Sequence, residues 1–372
     1  MNSETPTDME IFLACAPGLE PVLAEEARDA GFAAPRAVPG GVTTRGDWPE
    51  VWRANLVLRG PSRVLVRIGG FPAVHLSQLD KSSRKFDWGA VLRPELPVKV
   101  EANCIKSKIY HEGAAQERVA RAISEELGAP IGEGGVRLMV RIESNLVTFS
   151  LDTSGVLLHK RGHKQAVGKA PMRETLAALF LRQCGYTGTE TVLDPMCGSG
   201  TFVIEAAEIA SGLAPGRSRG FAFETLASFD PAAWEAMKAA HSGRASDLRF
   251  FGFDRDQGVI PMARANAERA RVTQLTTFDC RAMAQLERPD GAPGLVMVNP
   301  PYGGRIGQKS PLFGLYTAMG EVFRTRFRGW RVGIVTSEPG LAKAMRLPFL
   351  PASAPVEHGG LKVRLYRTEA LR

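Results

Sequence analysis

The run of apolar residues after Glu10, from Ile11 to Cys15, predicts a strand over 10–15. Pro17-Gly18 predicts a turn. Apolar positions at Leu19, Val22, Leu23 and Ala27 then predict a helix over 19–30, stopped by Gly31. Strand-like runs at 41–45 and 63–68 bracket a helix over 48–58, which together make a small α+β unit. A second unit, 72–152, shows a strand at 97–103, a helix at 116–127 and alternating strands at 136–142 and 146–151.

From about Arg161 the texture changes. Short β-rich runs at 191–193, 249–253, 275–278, 295–298 and 331–336 alternate with helices. That is the pattern of an α/β fold with a doubly wound parallel sheet. The Gly/Ala/Pro-rich stretch 284–294 reads as a loop.

The length of 372 residues suits two or three domains. A hydrophobic fraction of 44% and a charged fraction of 23% are those of a soluble globular protein. No apolar run approaches the roughly 20 residues needed to cross a bilayer, so no membrane partner is expected. The start, residues 1–6, lacks the basic and apolar regions of a secretory signal. Cys15, Cys104, Cys184, Cys197 and Cys280 are scattered, with no CxxC and no histidine at ligand spacing. Reduced thiols in a cytoplasmic protein, with neither disulfides nor a metal site, are expected. The net charge of +8 is uneven: 19 Lys+Arg face 20 Asp+Glu in residues 1–160, but 28 face 19 in residues 161–372. The basic excess of the C-terminal half suits a polyanionic partner, against the alternative of an ordinary surface bias.

The densest chemistry is Thr191-Val-Leu-Asp-Pro-Met-Cys-Gly-Ser-Gly-Thr201. A strand ends at Asp194, a glycine-bearing turn follows, and a helix starts near Thr201. Glycines there admit a ligand close to the backbone, at the carboxyl end of the strand. The Gly-x-Gly-x-x-Gly spacing is absent and no lysine follows the glycines, which disfavours a dinucleotide or phosphate loop. Asp194-Pro195 with Gly198-Ser199-Gly200-Thr201 instead resembles motif I of class I methyltransferases, where the acidic residue suits the cationic methionyl end of S-adenosyl-L-methionine. Asp254 ends the next strand and could take both ribose hydroxyls or cap the helix over 259–270. Asp279 fits the adenine amino group or serves as a turn residue.

Asn299-Pro300-Pro301-Tyr302 directly follows the apolar run Leu295–Val298. The prolines could be mere punctuation. The order also suits an exocyclic amine on a base, whose nitrogen lone pair is delocalised into the ring and is a poor nucleophile. The Asn299 amide oxygen and the Pro300 carbonyl can each accept one N–H, favouring the pyramidal amine. Prolines hold those acceptors still, and Tyr302 can stack on the base. In the second unit, Lys106 and Lys108 flank Ser107 ahead of Tyr110 and His111. They could touch phosphates and stack a base, or form a plain solvated loop.

Asn-Pro-Pro-Tyr after Asp-Pro-x-Cys-Gly-Ser-Gly-Thr resembles the THUMP-containing RNA guanine-N2 methyltransferases, nearest the family that modifies a guanosine of large-subunit ribosomal RNA. Further marks are Ala16-Pro17-Gly18-Leu19-Glu20, Gly40-Gly41-Val42, Ser107 to His111, Arg161-Gly162-His163 and the motif-X-like Ala170-Pro171-Met172-Arg173-Glu174-Thr175-Leu176-Ala177-Ala178. The resemblance implies a ferredoxin-like domain over 1–70, an RNA-holding THUMP domain over 71–158 and a Rossmann-like catalytic domain over 159–372. It adds Thr175 to the cofactor contacts and implies guanine N2 of 23S ribosomal RNA as the acceptor. Relatives with a second catalytic domain exist, and this chain ends at Arg372 without room for one. Gly304-Arg305 stands where an acidic residue before the arginine is expected. Transfer RNA as substrate, adenine-N6 as acceptor, and a non-catalytic ribosome-assembly factor are the alternative readings. The oligomeric state is not set by the sequence.

Overall fold

The computed structural model describes residues 8–165, 172–302 and 309–372. Residues 1–6, Ala170-Pro171, Gly303 and Gly304-Arg305 of the features above lie outside the described residues. The chain divides into two units, Met1–Cys15 with Ala24–Leu158 and Arg219–Ala240, and Ala16–Leu23 with His159–Ser218 and His241–Arg372.

The expected strand at 10–15 becomes β1 (Met9–Ala14), which buries Met9, Ile11 and Leu13 and leaves the residues between them half-buried. α1 (Glu20–Asp29) leads to the hairpin of β2 (Ala33–Val38) and β3 (Gly41–Gly46). α2 (Trp48–Val57) is capped by Asp47, whose carboxylate accepts the Glu50 N–H at 3.1 Å. β4 (Arg63–Pro72), α3 (Leu76–Lys85), β5 (Val98–Ile105), α4 (Glu112–Leu127), β6 (Val136–Glu143) and β7 (Leu146–Asp152) follow. α4 starts before the expected 116 because His111 Nδ1 accepts the Ala114 N–H at 3.0 Å and caps it. β2 and α3 are additions to the predicted elements.

These strands form one seven-stranded sheet, ordered β2-β3-β1-β4-β7-β6-β5, with only β5 and β6 parallel. β4 pairs with β1 through Arg63–Arg67 and with β7 through Leu65–Pro72. The expected boundary between residues 70 and 71 therefore falls inside a strand that both halves of the sheet share.

The second unit continues with α5 (Glu174–Gln183), β8 (Val192–Asp194) and α6 (Thr201–Ala210). The chain then contributes Arg219–Ala240, including α7 (Pro231–Ala240), to the first unit. There Phe223 stacks on Trp52 of α2, with ring centroids 6.0 Å apart. It also meets Trp234 edge-on at 5.0 Å, and Phe229 closes on Trp52 at 5.7 Å. Aromatic pairs at such spacings contribute about 0.5–1.5 kcal/mol each beyond area burial.

β9 (Phe250–Asp254), α8 (Val259–Arg269), β10 (Thr276–Cys280), β11 (Leu295–Val298), α9 (Lys309–Arg326), β12 (Arg331–Thr336), α10 (Pro339–Ala344), β13 (Val356–His358) and β14 (Leu361–Arg367) complete the second unit. Its sheet is ordered β10-β9-β8-β11-β12-β14-β13. The first five strands are parallel, as the sequence pattern implies, while β14 runs antiparallel to β12 and β13. The sheet is thus mixed rather than wholly parallel. β11 is buried at every position, the burial expected of a parallel strand covered on both faces. Val296, Val298, Ile334, Phe323, Phe327 and Trp330 form the core beside it.

α6 is unusual in burying charge along with its apolar residues. Glu205 and Glu208 are 2% and 1% exposed. Arg161, itself buried, pairs with Glu205 and lies 3.4 Å from Glu208. Glu208 also meets His163 Nδ1 at 3.2 Å and Arg217 at 2.5 Å. Arg161 lies before α5 and Arg217 after α6, so two stretches flanking the glycine turn are tied to one helix.

Removing one member of such a cluster strands a buried charge. Arg161→Ala is expected to lower unfolding free energy by about 3–5 kcal/mol, read from the urea midpoint. Glu205→Gln in the same background is expected to recover part of that loss. An unchanged midpoint in the single variant would deny the cluster its structural role.

Candidate active site

The strand order reverses between β8 and β11, which places the switch point of the sheet where ligands of open α/β folds bind. β8 ends on Asp194, which is 2% exposed and accepts the Met196 N–H at 3.0 Å. Burial pushes the Asp194 carboxyl well above the usual carboxylate range. The Met196 N–H opposes that shift and the nearby Asp254 charge reinforces it. The turn after it is held by Cys197 N–H to the Phe253 carbonyl and Gly200 N–H to the Cys197 carbonyl, each 2.8 Å.

Two glycines of this turn have left-handed backbones, Gly198 at φ +51° and Gly200 at φ +87°. A side chain on Gly200 would meet the Phe278 ring at 3.1 Å, whereas one on Gly198 would enter open space. The space beside the Gly198 backbone is therefore open. Phe278 of β10 is nearly buried and also presses on Gly252, where an added Cβ would lie 2.4 Å from the ring.

Asp254 ends β9, two residues beyond Gly252, the register partner of Asp194. Its Oδ2 accepts the Gly198 N–H and its Oδ1 the Asp256 N–H, both at 3.0 Å. Each carboxylate oxygen has a second lone-pair direction, so a two-point contact with a diol remains chemically open. Asp254 does not cap α8, whose N-terminal position is Gly258 with no side-chain cap. Asp279, at the end of β10, is salt-bridged to Arg264 at 3.1 Å. Pro195, Ser199 and Thr201 are buried within the turn, and Thr175 is buried in the first turn of α5.

Three supporting residues were not legible in the sequence motifs. Asn266 of α8 is fully buried and donates to the Ser199 carbonyl at 3.0 Å. Arg269 bridges Asn266 to the His163 carbonyl, 2.7 Å away. Lys164 reaches the Thr201 hydroxyl at 3.2 Å and Glu174 at 3.6 Å, and burial lowers its pKa. The spacing Asn266-x-x-Arg269, one helical turn, is the signal that could have pointed to the first pair.

β11 lies next to β8 and delivers Asn299-Pro300-Pro301-Tyr302 beside the glycine turn. The Asn299 side chain oxygen is buried and has no hydrogen-bond partner among the described residues. Pro300 is buried, and Tyr302 is half-buried against the β11–β12 core. The Pro301 carbonyl accepts from the Tyr316 hydroxyl at 3.3 Å.

The remaining sequence candidates lie in the first unit. Lys106, Lys108, Tyr110 and His111 are all exposed, Tyr110 at 82%. Their loop is ordered by Ser107, which donates to the Ile105 carbonyl, and by Asn145, which accepts the Lys108 N–H at 2.8 Å. His111 has committed Nδ1 to its helix cap.

A glycine turn after the first strand, an acidic end to the second and Asn-Pro-Pro-Tyr after the fourth define a class I methyltransferase domain with a Rossmann-like fold. The chain belongs to the RMKL-like methyltransferase family: the family's methyltransferase domain matches residues 161–364, and an RlmL ferredoxin-like domain matches residues 10–65. It is 31% identical to a Synechocystis protein named as a candidate RNA methyltransferase, over 98% of this chain and 97% of that one. It is 33% identical to the ribosomal RNA large subunit methyltransferase K/L of Vibrio campbellii over 89% of this chain, and spans 49% of that protein. A solved candidate methyltransferase in complex with S-adenosylhomocysteine is 27% identical, covers 99% of both chains and superposes with a TM-score of 0.87. The methyl donor of such a domain is S-adenosyl-L-methionine, and the open approach at Gly198 between Asp194 and Asp254 fits it. Among the described residues no helix is long and apolar enough to cross a membrane.

The raised Asp194 pKa carries a stability consequence. The folded state holds this proton more tightly than the unfolded chain, so its contribution is present in acid. It is lost as pH rises from the ordinary aspartate range through the raised value. Asp194→Asn is therefore expected to raise the melting temperature of the ligand-free protein at neutral pH, with the gain vanishing in acid. A melting temperature lowered at neutral pH would contradict the burial argument.

Proposed function

We propose that this protein transfers a methyl group from S-adenosyl-L-methionine to the exocyclic N2 of a guanosine in 23S ribosomal RNA. The observation that carries the reading is the buried, unpartnered oxygen of Asn299 at the end of β11, next to the glycine turn. An orphaned buried acceptor costs about 1–3 kcal/mol, and a base amine that donates to it removes that cost. The large-subunit K/L relative supports a ribosomal substrate, and the motif resemblance supports guanine N2.

When bound, the cofactor supplies an electrophilic methyl group on its sulfonium. The protein's part is binding, orientation and electrostatics. Asp194 faces the methionyl ammonium, and Asp254 takes the ribose hydroxyls with its free lone pairs. Pro195, Gly198, Ser199, Gly200, Thr201 and Thr175 form the cradle. Asp279 accepts from the adenine amine while still paired with Arg264. Asn299 and the Pro300 carbonyl accept the two N–H bonds of the target amine, concentrating its lone pair toward the methyl. Pro301 stiffens the loop, and Tyr302 stacks on the base once it is out of its helix. Residues 71–158 act as a THUMP unit, with Lys106, Lys108, Tyr110 and the exposed ring edge of His111 on RNA.

The direct test is methyl transfer from labelled cofactor to separated ribosomal and transfer RNA, followed by nucleoside digestion and mass spectrometry. N2-methylguanosine in ribosomal RNA is the expected product. The same nucleoside in transfer RNA alone would overturn the ribosomal assignment, and N6-methyladenosine the choice of base. Asn299→Ala is expected to reduce turnover roughly a hundredfold, the order seen for one preorganised acceptor, while cofactor affinity stays intact. Asp254→Ala is expected to weaken cofactor binding in calorimetry roughly tenfold or more, the cost of charge-assisted hydrogen bonds. Replacing Lys106 and Lys108 together with alanine should weaken RNA binding and flatten its log–log salt slope by about 1.4–1.8, two released counterions. An unchanged slope would make the loop a solvated turn.

A further inference from the structure

A loop that contains two consecutive prolines has a problem of its own making. Pro300 and Pro301 carry no N–H, so between Asn299 and Tyr302 the backbone has carbonyls to offer and nothing to donate. Such a segment cannot pin itself into its surroundings through its own amides. It must be held through its carbonyl oxygens by donors from elsewhere.

One such donor is the Tyr316 hydroxyl, 3.3 Å from the Pro301 carbonyl. Tyr316 lies on α9, its ring fully buried among Leu312, Met319 and Phe323. Thr336, the fully buried last residue of β12, lies beside the hydroxyl. The Thr336 oxygen accepts the Glu338 N–H at 3.2 Å. The tyrosine proton goes to the Pro301 carbonyl, which ties the loop that follows β11 to α9. That bond leaves the Asn299 oxygen and the Pro300 carbonyl for a ligand.

We infer that Tyr316 is a positioning residue that sets the placement of the Asn299–Tyr302 loop and thereby the rate of methyl transfer. This rests on the proposed reading of the loop as the acceptor for the target amine. The residue never touches substrate in this account; it acts through the Pro301 carbonyl.

Tyr316→Phe removes only the donor and keeps the packed ring. It is expected to lower kcat roughly tenfold, the scale lost when a reacting group is loosened rather than removed. The KM for RNA and the calorimetric affinity for S-adenosylmethionine should stay unchanged. Amide hydrogen exchange at Tyr302 should quicken in this variant, while exchange in β12 should not. A purely structural role would instead lower the melting temperature and cofactor affinity together, and that pattern, or an unchanged kcat, overturns the inference. If the wild-type protein methylates no RNA, the reading of the loop fails. The positioning role is then decided by exchange alone: faster exchange at Tyr302 supports it and unaltered exchange sinks it.

Discussion

Two buried carboxylates on one helix organise the catalytic unit. Glu205 and Glu208 of α6 are almost wholly removed from water, and an unpaired charge in that position would cost several kcal/mol. The chain answers from separate stretches: Arg161 and the His163 ring before α5, and Arg217 after α6. The constraint reaches the ligand turn as well. Arg269 holds the His163 carbonyl and Asn266, and Asn266 holds the carbonyl of Ser199. A glycine turn that must leave its backbone bare cannot brace itself with side chains, so it is braced from behind by charge.

A second tension lies in front of the turn. Burial, and after it the neighbouring Asp254, raise the cost of ionising Asp194. Binding a cation there would offset both. The ligand-free protein thus stores part of its unfavourable electrostatics where a positively charged ligand can discharge it.

The candidate site residues were legible because each stands at a strand end in a short, type-specific pattern: Asp194 to Thr201, Asp254, and Asn299 to Tyr302. The strands of the second unit were legible because parallel strands read as unbroken apolar runs, as β11 does. What escaped was set by tertiary context. β2 is mostly exposed and has no apolar alternation to betray it. α3 is polar on most of its surface and buries only Leu79 and Ser83. Asn266, Lys164 and Tyr316 look like ordinary helix and loop residues until packing places them on Ser199, Thr201 and Pro301. Arg161-Gly162-His163 entered only as a family mark, and its physical reason, neutralising Glu205 and Glu208, is visible only when α6 is seen to be buried.

The detour of residues 219–240 has a temporal meaning. Trp52 finds its neighbours Phe223 and Phe229 only in a segment encoded well downstream, after β8 and α6 have been specified. A chain emerging from the ribosome therefore cannot seal its first unit before much of the second has been translated. The usual sequence of one domain maturing before the next begins is replaced by an interleaved one. Nascent intermediates would carry the aromatic face of α2 uncovered, a stretch of synthesis during which the chain depends on its surroundings to stay out of trouble.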